Sequence, residues 1–341
     1  MNTNKLERPF VSAMIVFRNE EKYISKCLQS LLEQDYPTDR FEILLVDGCS
    51  NDDTLNNARK TELDFRSTHH SNSYPIIKYL NNKKQILASG WNLGIKSAQG
   101  VYVFRIDAHG FCNQNFISES VNTILGTPDA ICVGGTIVTE ALTKRGKLVA
   151  SVLSSPFGVG NSKFRYTTKA QYVDTVAFGL YKREIFEEIG YFDESLKRNQ
   201  DNDMHMRIRD AGYKFYLNPS IKATYHPRET IKGMLKQGFN NGYWNIVTFK
   251  KSPKTLSLRH LIPLGFVLGL LSLFVLSLID IRFLYLLISG LTFHLLLGFI
   301  FSVKYHHKWS NIFIIPFLYL LLHLSYGFGS VSSIVKIGGK K

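Results

Sequence analysis

Short apolar runs alternate with amphipathic stretches from Phe10 to His226, and long apolar runs with hardly a charge fill most of the chain beyond Arg259. In the first part, Phe10–Phe17 (FVSAMIVF), Phe41–Val46 (FEILLV), Ile76–Leu80 and Val101–Ile106 have the length and composition of buried strands. Between them, Glu20–Gln34 sets Ile24, Leu28, Leu31 and Leu32 at helical spacing. Asn51–Arg66 also reads as a helix, and Ser89–Ala98 is a helix stopped at Gly100. Strand and helix in alternation predict an α/β domain with a mostly parallel, doubly wound sheet. Such sheets bind ligands at the carboxyl ends of their strands. The polar clusters Arg18-Asn19-Glu20, Asp47–Asp53 and Asp107–His109 each follow an apolar run directly, which predicts one pocket.

Further along, Gly134, Gly135, Gly146, Gly158 and Gly160 interrupt residues 134–175, which read as irregular, part of them a mobile loop over the site. Asn202–Ala211 predicts a helix ended by Gly212. Lys214–Leu217 and Ile221–His226 predict two brief strands on either side of Pro219. From Glu229 to Arg259, Ile231, Met234, Leu235, Phe239, Trp244, Ile246 and Val247 sit among Lys232, Lys236, Lys250, Lys251, Lys254 and Arg259. Two readings fit: helices lying among lipid headgroups, or an amphipathic helix packed on the first domain.

Leu261–Ile279, Phe283–Val303 and Ile312–Val335 are each near the roughly 20 apolar residues a spanning helix needs. The expected layout is therefore a soluble domain over 1–227, an interfacial segment over 228–259, and a transmembrane α-helical region over 260–341. Asp280-Ile281-Arg282 joins the first two runs so tightly that a re-entrant hairpin is the alternative to two spans. Lys304, His306, His307 and Lys308 follow the second run, and by the positive-inside tendency this loop and the 228–259 segment are cytoplasmic. Three spans would then put Lys336, Lys340 and Lys341 outside, against that tendency.

The net charge of +14 sharpens the same division. Residues 228–341 carry 13 Lys/Arg against only Glu229 and Asp280. Basic side chains that flank apolar runs, instead of covering a folded surface, point to anionic membrane lipids and away from nucleic acid. Cys27, Cys49, Cys112 and Cys132 are too scattered for a metal motif or a disulfide framework. Met1–Arg8 is polar and lacks the apolar core of a secretory signal, so the first domain is expected to face the cytoplasm.

Asp107-Ala108-His109 is the triplet richest in chemistry. Two ligand-type side chains one residue apart can both face a cation in an extended turn. Carboxylates together with substrate phosphate oxygens hold Mg²⁺ or Mn²⁺, and imidazole also accepts Mn²⁺. The competing reading is an Asp that caps the following turn. Context shifts the balance. MIVFRNEE (Met14–Glu21), LLVDGCSNDDT (Leu44–Thr54), ASGWNLGIKSAQG (Ala88–Gly100) and FRIDAH (Phe104–His109) occur in order. Together they resemble the family-2 glycosyltransferases of GT-A fold. With Pro156-Phe157-Gly158-Val159-Gly160, the look is nearest the succinoglycan-type exopolysaccharide transferases.

That resemblance implies a Rossmann-like nucleotide-sugar-binding domain and an inverting, metal-dependent transfer from a nucleotide sugar, a UDP-sugar above all. The acceptor it implies is membrane-associated and polyprenyl-linked, in surface polysaccharide biosynthesis at the cytoplasmic membrane. Carried over by position, Asn19 and Glu20 match the first nucleotide-contacting motif, and Asp47 the carboxylate that binds the donor's base. Asn92 and Gly94 match the motif near ribose and diphosphate. Asp107 and His109 match the DxD pair that holds the diphosphate through a divalent cation. Asp201, in Asn199-Gln200-Asp201-Asn202-Asp203, matches the catalytic base; its alternative is a helix N-cap, and Asp203 is the neighbouring candidate. His226 matches a histidine near metal or diphosphate, with a structural histidine as its alternative. Gly48 and His109 stand where the family usually has aspartates. Gln237–Trp244 is similar to the QxxRW motif of processive synthases but lacks its arginine, so short, non-processive transfer is expected over polymer synthesis. An inactive donor-binding scaffold is the rival from outside enzymology, and Asp107 and Asp201 speak against it.

Overall fold

The computed structural model describes residues 8–68, 74–141, 143–160, 162–227, 229–253, 258–305 and 309–338. It divides into two compact units: Met1–Val138 with Thr167–Tyr225, and Thr139–Tyr166 with His226–Lys341.

The first unit is built on a nine-stranded sheet. Its strands are β1 (Val11–Phe17), β2 (Phe41–Asp47), β3 (Ile76–Asn81), β4 (Tyr102–Asp107), β5 (Gly110–Cys112), β6 (Ala130–Thr139), β7 (Gln171–Val173), β8 (Leu180–Lys182) and β9 (Lys214–Tyr225). The order is β3-β2-β1-β4-β8-β6-β9-β5, with β7 also on β9. Strands β3, β2, β1 and β4 run parallel, as the apolar runs predict, and their ends align: Phe17 pairs with Asp47, Asp47 with Asn81, and Val16 with Asp107. The far half is antiparallel at β4–β8, β8–β6, β9–β5 and β7–β9. The crossover helices are α1 (Ile24–Leu32), α2 (Thr54–Thr68), α3 (Leu87–Ser97) and α4 (Phe116–Gly126). They bury Leu28, Leu31, Trp91, Ile95 and Phe116 on the sheet.

Two expectations fail for physical reasons. Residues 214–225 form one strand, not two. Pro219 has no N–H to give, but it lies between the stretch that pairs with β7 (Phe215–Leu217) and the one that pairs with β5 (Ala223–Tyr225). Residues 134–175 are also more regular than their glycines suggest. Gly134 and Gly135 lie inside β6, where a Cβ on Gly135 would overlap the backbone carbonyl of Ile221. These glycines mark close backbone approach, not a loop.

The excursion beyond β6 belongs to the second unit. It forms α5 (Lys144–Leu153) and α6 (Pro156–Val159), with Thr143 and Ser155 as N-caps. After the short α7 (Ile185–Glu188) and α8 (Gln200–Asp210) of the first unit, the second unit resumes with α9 (Ile231–Lys251) and α10 (Leu258–Ser277). Next come α11 (Ile281–Tyr305), α12 (Trp309–Ile312) and α13 (Ile315–Gly338). Among the described residues, His260–Ser277, Ile281–Tyr305 and Ile315–Ile337 are long and apolar enough to cross a membrane. The third predicted run is broken between α12 and α13, and His306, His307 and Lys308 fall outside the described residues. Within the basic segment Ile231–Lys251 is one helix, Lys254 lies outside the described residues and Arg259 belongs to α10; the side that α9 buries (Met234, Gly238, Gly242, Asn245, Thr248) is packed on α13. The small residues allow this: a Cβ on Gly242 would overlap the Tyr326 carbonyl, and Ser325 Oγ donates to Leu235 O over 2.7 Å. Val149, Val152, Met234, Leu318, Tyr319 and Leu322 make the core of this unit.

Candidate active site

Parallel strands end in register, so the loops after β1, β2 and β4 meet at one edge of the sheet. Asn19 and Cys49 both have φ of 56°, a left-handed turn that lets each loop double back after its strand. The loops are sewn to each other. The Asn19 amide donates to Ser50 Oγ at 3.0 Å, and Asn51 N donates to the Asn19 side-chain oxygen at 3.0 Å. Asp47 accepts from the Ser50 amide at 3.0 Å and its hydroxyl at 2.7 Å. Glu20 N donates to Thr54 Oγ1 at 2.7 Å.

These loops wall a cavity of about 250 Å³ whose lining includes Arg18, Glu20, Gly48, Gln85, Asp107 and His109. Inside it His109 Nδ1 stands 3.3 Å from Glu20 Oε1, while the ring edge of His109 meets Tyr225 with centroids 5.1 Å apart. Thus Glu20, Asp107 and His109, predicted from separate motifs, line one pocket, with Asp47 immediately before the lining residue Gly48. A carboxylate and an imidazole one residue apart form a donor set suited to Mn²⁺ or Mg²⁺, provided phosphate oxygens complete the shell. Among the described residues no three His, Cys, Asp or Glu side chains gather closely enough to hold an ion by themselves. The residues present therefore fit a cation shared with a ligand's phosphates.

Beneath the pocket lies a residue that the sequence reading passed over. Arg105 lies two before Asp107 in β4, so both point to the same face of the strand. Its guanidinium is 4.9 Å from the Trp91 ring centroid and 5.6 Å from that of Phe192, and its side chain is only 12% exposed. Burial acts against the charge, but Tyr181, Asp201 and Asp107 outweigh it and hold the guanidinium's pKa above its usual value. Arg105 Nη2 lies 3.8 Å from Asp201 Oδ2. A charged residue inside an apolar strand, in phase with Asp107, is the signal that marks it.

Asp201 sits in the first turn of α8, half exposed, and accepts the Asn202 amide at 2.9 Å. The cap position belongs to Asn199, which makes no side-chain capping bond. Asp203 differs sharply: it is buried and pairs with Arg207 at 3.0 Å, whose guanidinium ties down the carbonyls of Ile189, Gly190 and Tyr191. One carboxylate is presented and the other is spent on the fold.

Asn92 and Gly94 lie away from the lining set. Asn92 grips the Phe192 backbone, donating to its carbonyl and accepting from its amide at 2.9 Å each, and donates to Glu194 at 3.1 Å. A Cβ at Gly94 would stand 2.6 Å from Met14 Sδ, so this glycine seats α3 on the sheet. His226, in the second unit, is buried and donates from Nδ1 to the Glu140 carbonyl at 3.0 Å.

The family model described as glycosyl transferase family 2 matches residues 12–190, which takes in the loops after β1, β2 and β4 but not Asp201 or His226. The chain belongs to this family. Among its family-2 relatives, the Methanococcus voltae dolichyl N-acetyl-alpha-D-glucosaminyl phosphate 3-beta-D-2,3-diacetamido-2,3-dideoxy-beta-D-glucuronosyltransferase is 30% identical over 79% of this chain and 83% of that protein. Succinoglycan biosynthesis protein ExoA of Rhizobium meliloti is 26% identical over 78% of each chain. Among solved structures, the mannosyltransferase PcManGT of Pyrobaculum calidifontis, in complex with GDP-Man and Mn²⁺, matches with a TM-score of 0.58 at 15% identity, over 98% of this chain and 89% of that one. The fold of this family-2 glycosyltransferase is thus the GT-A fold, with apolar C-terminal helices that make it a membrane protein.

Proposed function

We propose that the chain transfers a sugar, with inversion, from a UDP-sugar to a polyprenyl-linked acceptor at the cytoplasmic face of the membrane. The observation that carries this reading is the pairing of a phosphate-type pocket, with Glu20, Asp107 and His109, to one accessible carboxylate, Asp201, held by Arg105 on the same strand. Asn19, Glu20 and Asp47 bind the nucleoside through their two stapled loops. Asn92 and Gly94 contribute by fixing α3 and the Phe192–Glu194 segment. Asp107 and His109 would hold a divalent cation together with the donor's diphosphate, and the cation would supply Lewis-acid neutralisation of the departing charge. A part for His226 rests on its tautomer: metal-ligating histidines characteristically give their other N–H to a carbonyl or carboxylate.

In the reaction, Asp201 takes the proton of the acceptor hydroxyl as that oxygen attacks the anomeric carbon. The bond from the anomeric carbon to the phosphate oxygen breaks in the same displacement, and the nucleoside diphosphate leaves. Arg105 keeps the Asp201 carboxylate turned toward the pocket. The relative whose name specifies a dolichyl phosphate substrate supports a lipid-linked acceptor, and the likeness to TarS 1–349 of S. aureus in complex with UDP-GlcNAc (TM-score 0.51, 17% identity, 96% of this chain and 92% of that one) supports a nucleotide-sugar donor. The test incubates membranes carrying the full chain with labelled UDP-, GDP- and dTDP-sugars and a polyprenyl lipid extract. Label moving from a UDP-sugar into the organic phase is expected. Label in water-soluble polymer alone would overturn the lipid-linked reading, and transfer from GDP- or dTDP-sugars only would overturn the choice of donor.

A further inference from the structure

Helix α13 has the length and composition of a membrane span, but its contacts place it elsewhere. Helices α10 and α11 form an antiparallel hairpin closed at Leu278–Asp280. Near its start, α13 meets the late part of α11: Pro316 and Tyr319 lie against Gly298, and His294 Nε2 is 2.9 Å from His323 Nδ1. Only one turn later, Gly327 is against Pro263 and Val267 of α10. Counted from the hairpin's turn, Pro263 and Val267 bracket the level of His294, so α13 passes from one arm to the other at that level, only about one helical turn nearer the tip than its contact with Gly298. Helix α9 accompanies it from Leu322 and Ser325 onward and takes the part beyond Gly327: Gly329 rests on Phe239, and Ser330 Oγ donates to Gly242 O at 3.2 Å. No described residue from Leu268 to Phe293 is buried. A helix running the length of the hairpin would have covered some of them.

We infer that α13 lies in the membrane plane, across the base of the α10–α11 hairpin and beside α9, and that it is not a third span. This rests on the membrane reading of the unit. The partner of its outer face is the headgroup and upper acyl region of a bilayer. That face is one apolar stripe along the helix, from Phe317 and Leu321 through Phe328 to Val335. Helix α9 gives an independent reason. Lys236 is exposed one residue after Leu235, whose carbonyl bonds Ser325 near the middle of α13. Were α13 a span, that lysine would stand near the bilayer centre, where an unpaired cation is costly. In the plane, Lys232, Lys236, Lys250 and Lys251 meet lipid phosphates. Lys336 then returns to the cytoplasmic side, as the positive-inside tendency asks. The hairpin contributes no crossing or two, so the C-terminus shares a side with α9 in either case.

The experiment uses the full chain in sealed vesicles, with Cys49→Ser and one added cysteine: Lys251→Cys at the end of α9, or a cysteine appended after Lys341. Both are expected to react with a membrane-impermeant maleimide from the same side; opposite sides would overturn the inference. Depth adds a second measure through Phe317→Trp, Phe328→Trp and Val335→Trp with brominated lipids. A span would separate the outer two by about 27 Å along the helix axis. Equal, shallow quenching is expected, and a maximum at the centre for position 328 alone would overturn it. Retention of the protein after carbonate washing reports separately on the membrane reading.

Discussion

Trp91, Phe104 and Phe116 in the first unit are wholly buried, while its presented polar groups gather at strand ends and are held by several partners each. In the second unit the exposures invert. Leu278, Ile279 and Val335 are 76%, 82% and 69% exposed, whereas Ser155, Ser302, Ser330 and Ser333 are fully buried. Water makes apolar burial the main stabilising force in the first case. A bilayer offers no such gain, so helices there associate through small residues and interhelical hydrogen bonds. Ser155 Oγ at 2.5 Å from Tyr319 Oη and Ser302 Oγ at 3.1 Å from the Ile312 carbonyl are bonds of that kind. Presented polar side chains thus line a cavity in the first unit, while buried ones hold helices together in the second, and each assignment can be broken.

The largest effect is expected at Asp107. Removing this carboxylate withdraws metal-assisted charge stabilisation worth several kcal/mol, and each 1.4 kcal/mol is about tenfold in rate. Asp107→Ala should lower turnover more than ~10³-fold, and a chelator should do the same to the native chain, both read as release of labelled sugar from the donor. Full activity in excess chelator would remove the cation from the account. Next is Asp201→Asn, with an expected loss of about 10²–10⁴-fold at unchanged nucleotide affinity. Asp203→Asn is its opposite: it loosens the Arg207 clamp, so it should lower the melting temperature while the kcat of folded protein holds. Arg105→Met follows, at roughly 10²-fold, by letting the base swing out of line. A double variant with Asp201→Asn should then cost little more than Asp201→Asn alone.

Gly242→Leu tests the other unit. A side chain there overlaps the Tyr326 carbonyl, and overpacking of this kind costs about 1–3 kcal/mol. The variant should lose thermal stability in detergent while retaining nucleotide affinity in the first unit, measured by fluorescence titration.

The parallel half of the sheet was legible because its central strands, β1 and β2, are buried on both faces and read as unbroken apolar runs. Of the antiparallel half only β9 was legible, and it read as two strands. Short strands such as Leu180–Lys182 carry no period of their own, and Pro219 and Gly135 read as breaks unless the neighbouring strand is known. The site followed the same rule. Glu20, Asp107 and His109 follow apolar runs directly and were read as candidates, and they line one cavity, whereas Arg105 lies within a run and was not singled out. Asn92 illustrates a further limit: its motif was recognised, but its amide faces the Phe192 backbone and not the pocket, an orientation that no motif encodes.

The smallest expected effect is a pH dependence in the first unit. His205 is fully buried, with Nδ1 at 2.7 Å from Thr175 Oγ1 and Nε2 at 2.7 Å from Tyr181 Oη. Burial first, then the charges of Arg105 and Arg209, push its pKa well below 6.5. Well above the ordinary histidine value of about 6.5 the ring is uncharged in both folded and unfolded chains, so His205 there adds no pH dependence. Below the ordinary histidine value the unfolded chain takes up a proton that the folded chain refuses, and stability falls as pH falls, by at most about 1.4 kcal/mol per unit for one group. The melting temperature of the native chain in detergent should therefore drop between pH 7 and pH 5. His205→Gln, which keeps a neutral hydrogen-bonding side chain, should be less stable at pH 7 yet show a shallower slope. An unchanged slope would assign the acid sensitivity to other groups and leave His205 as packing alone.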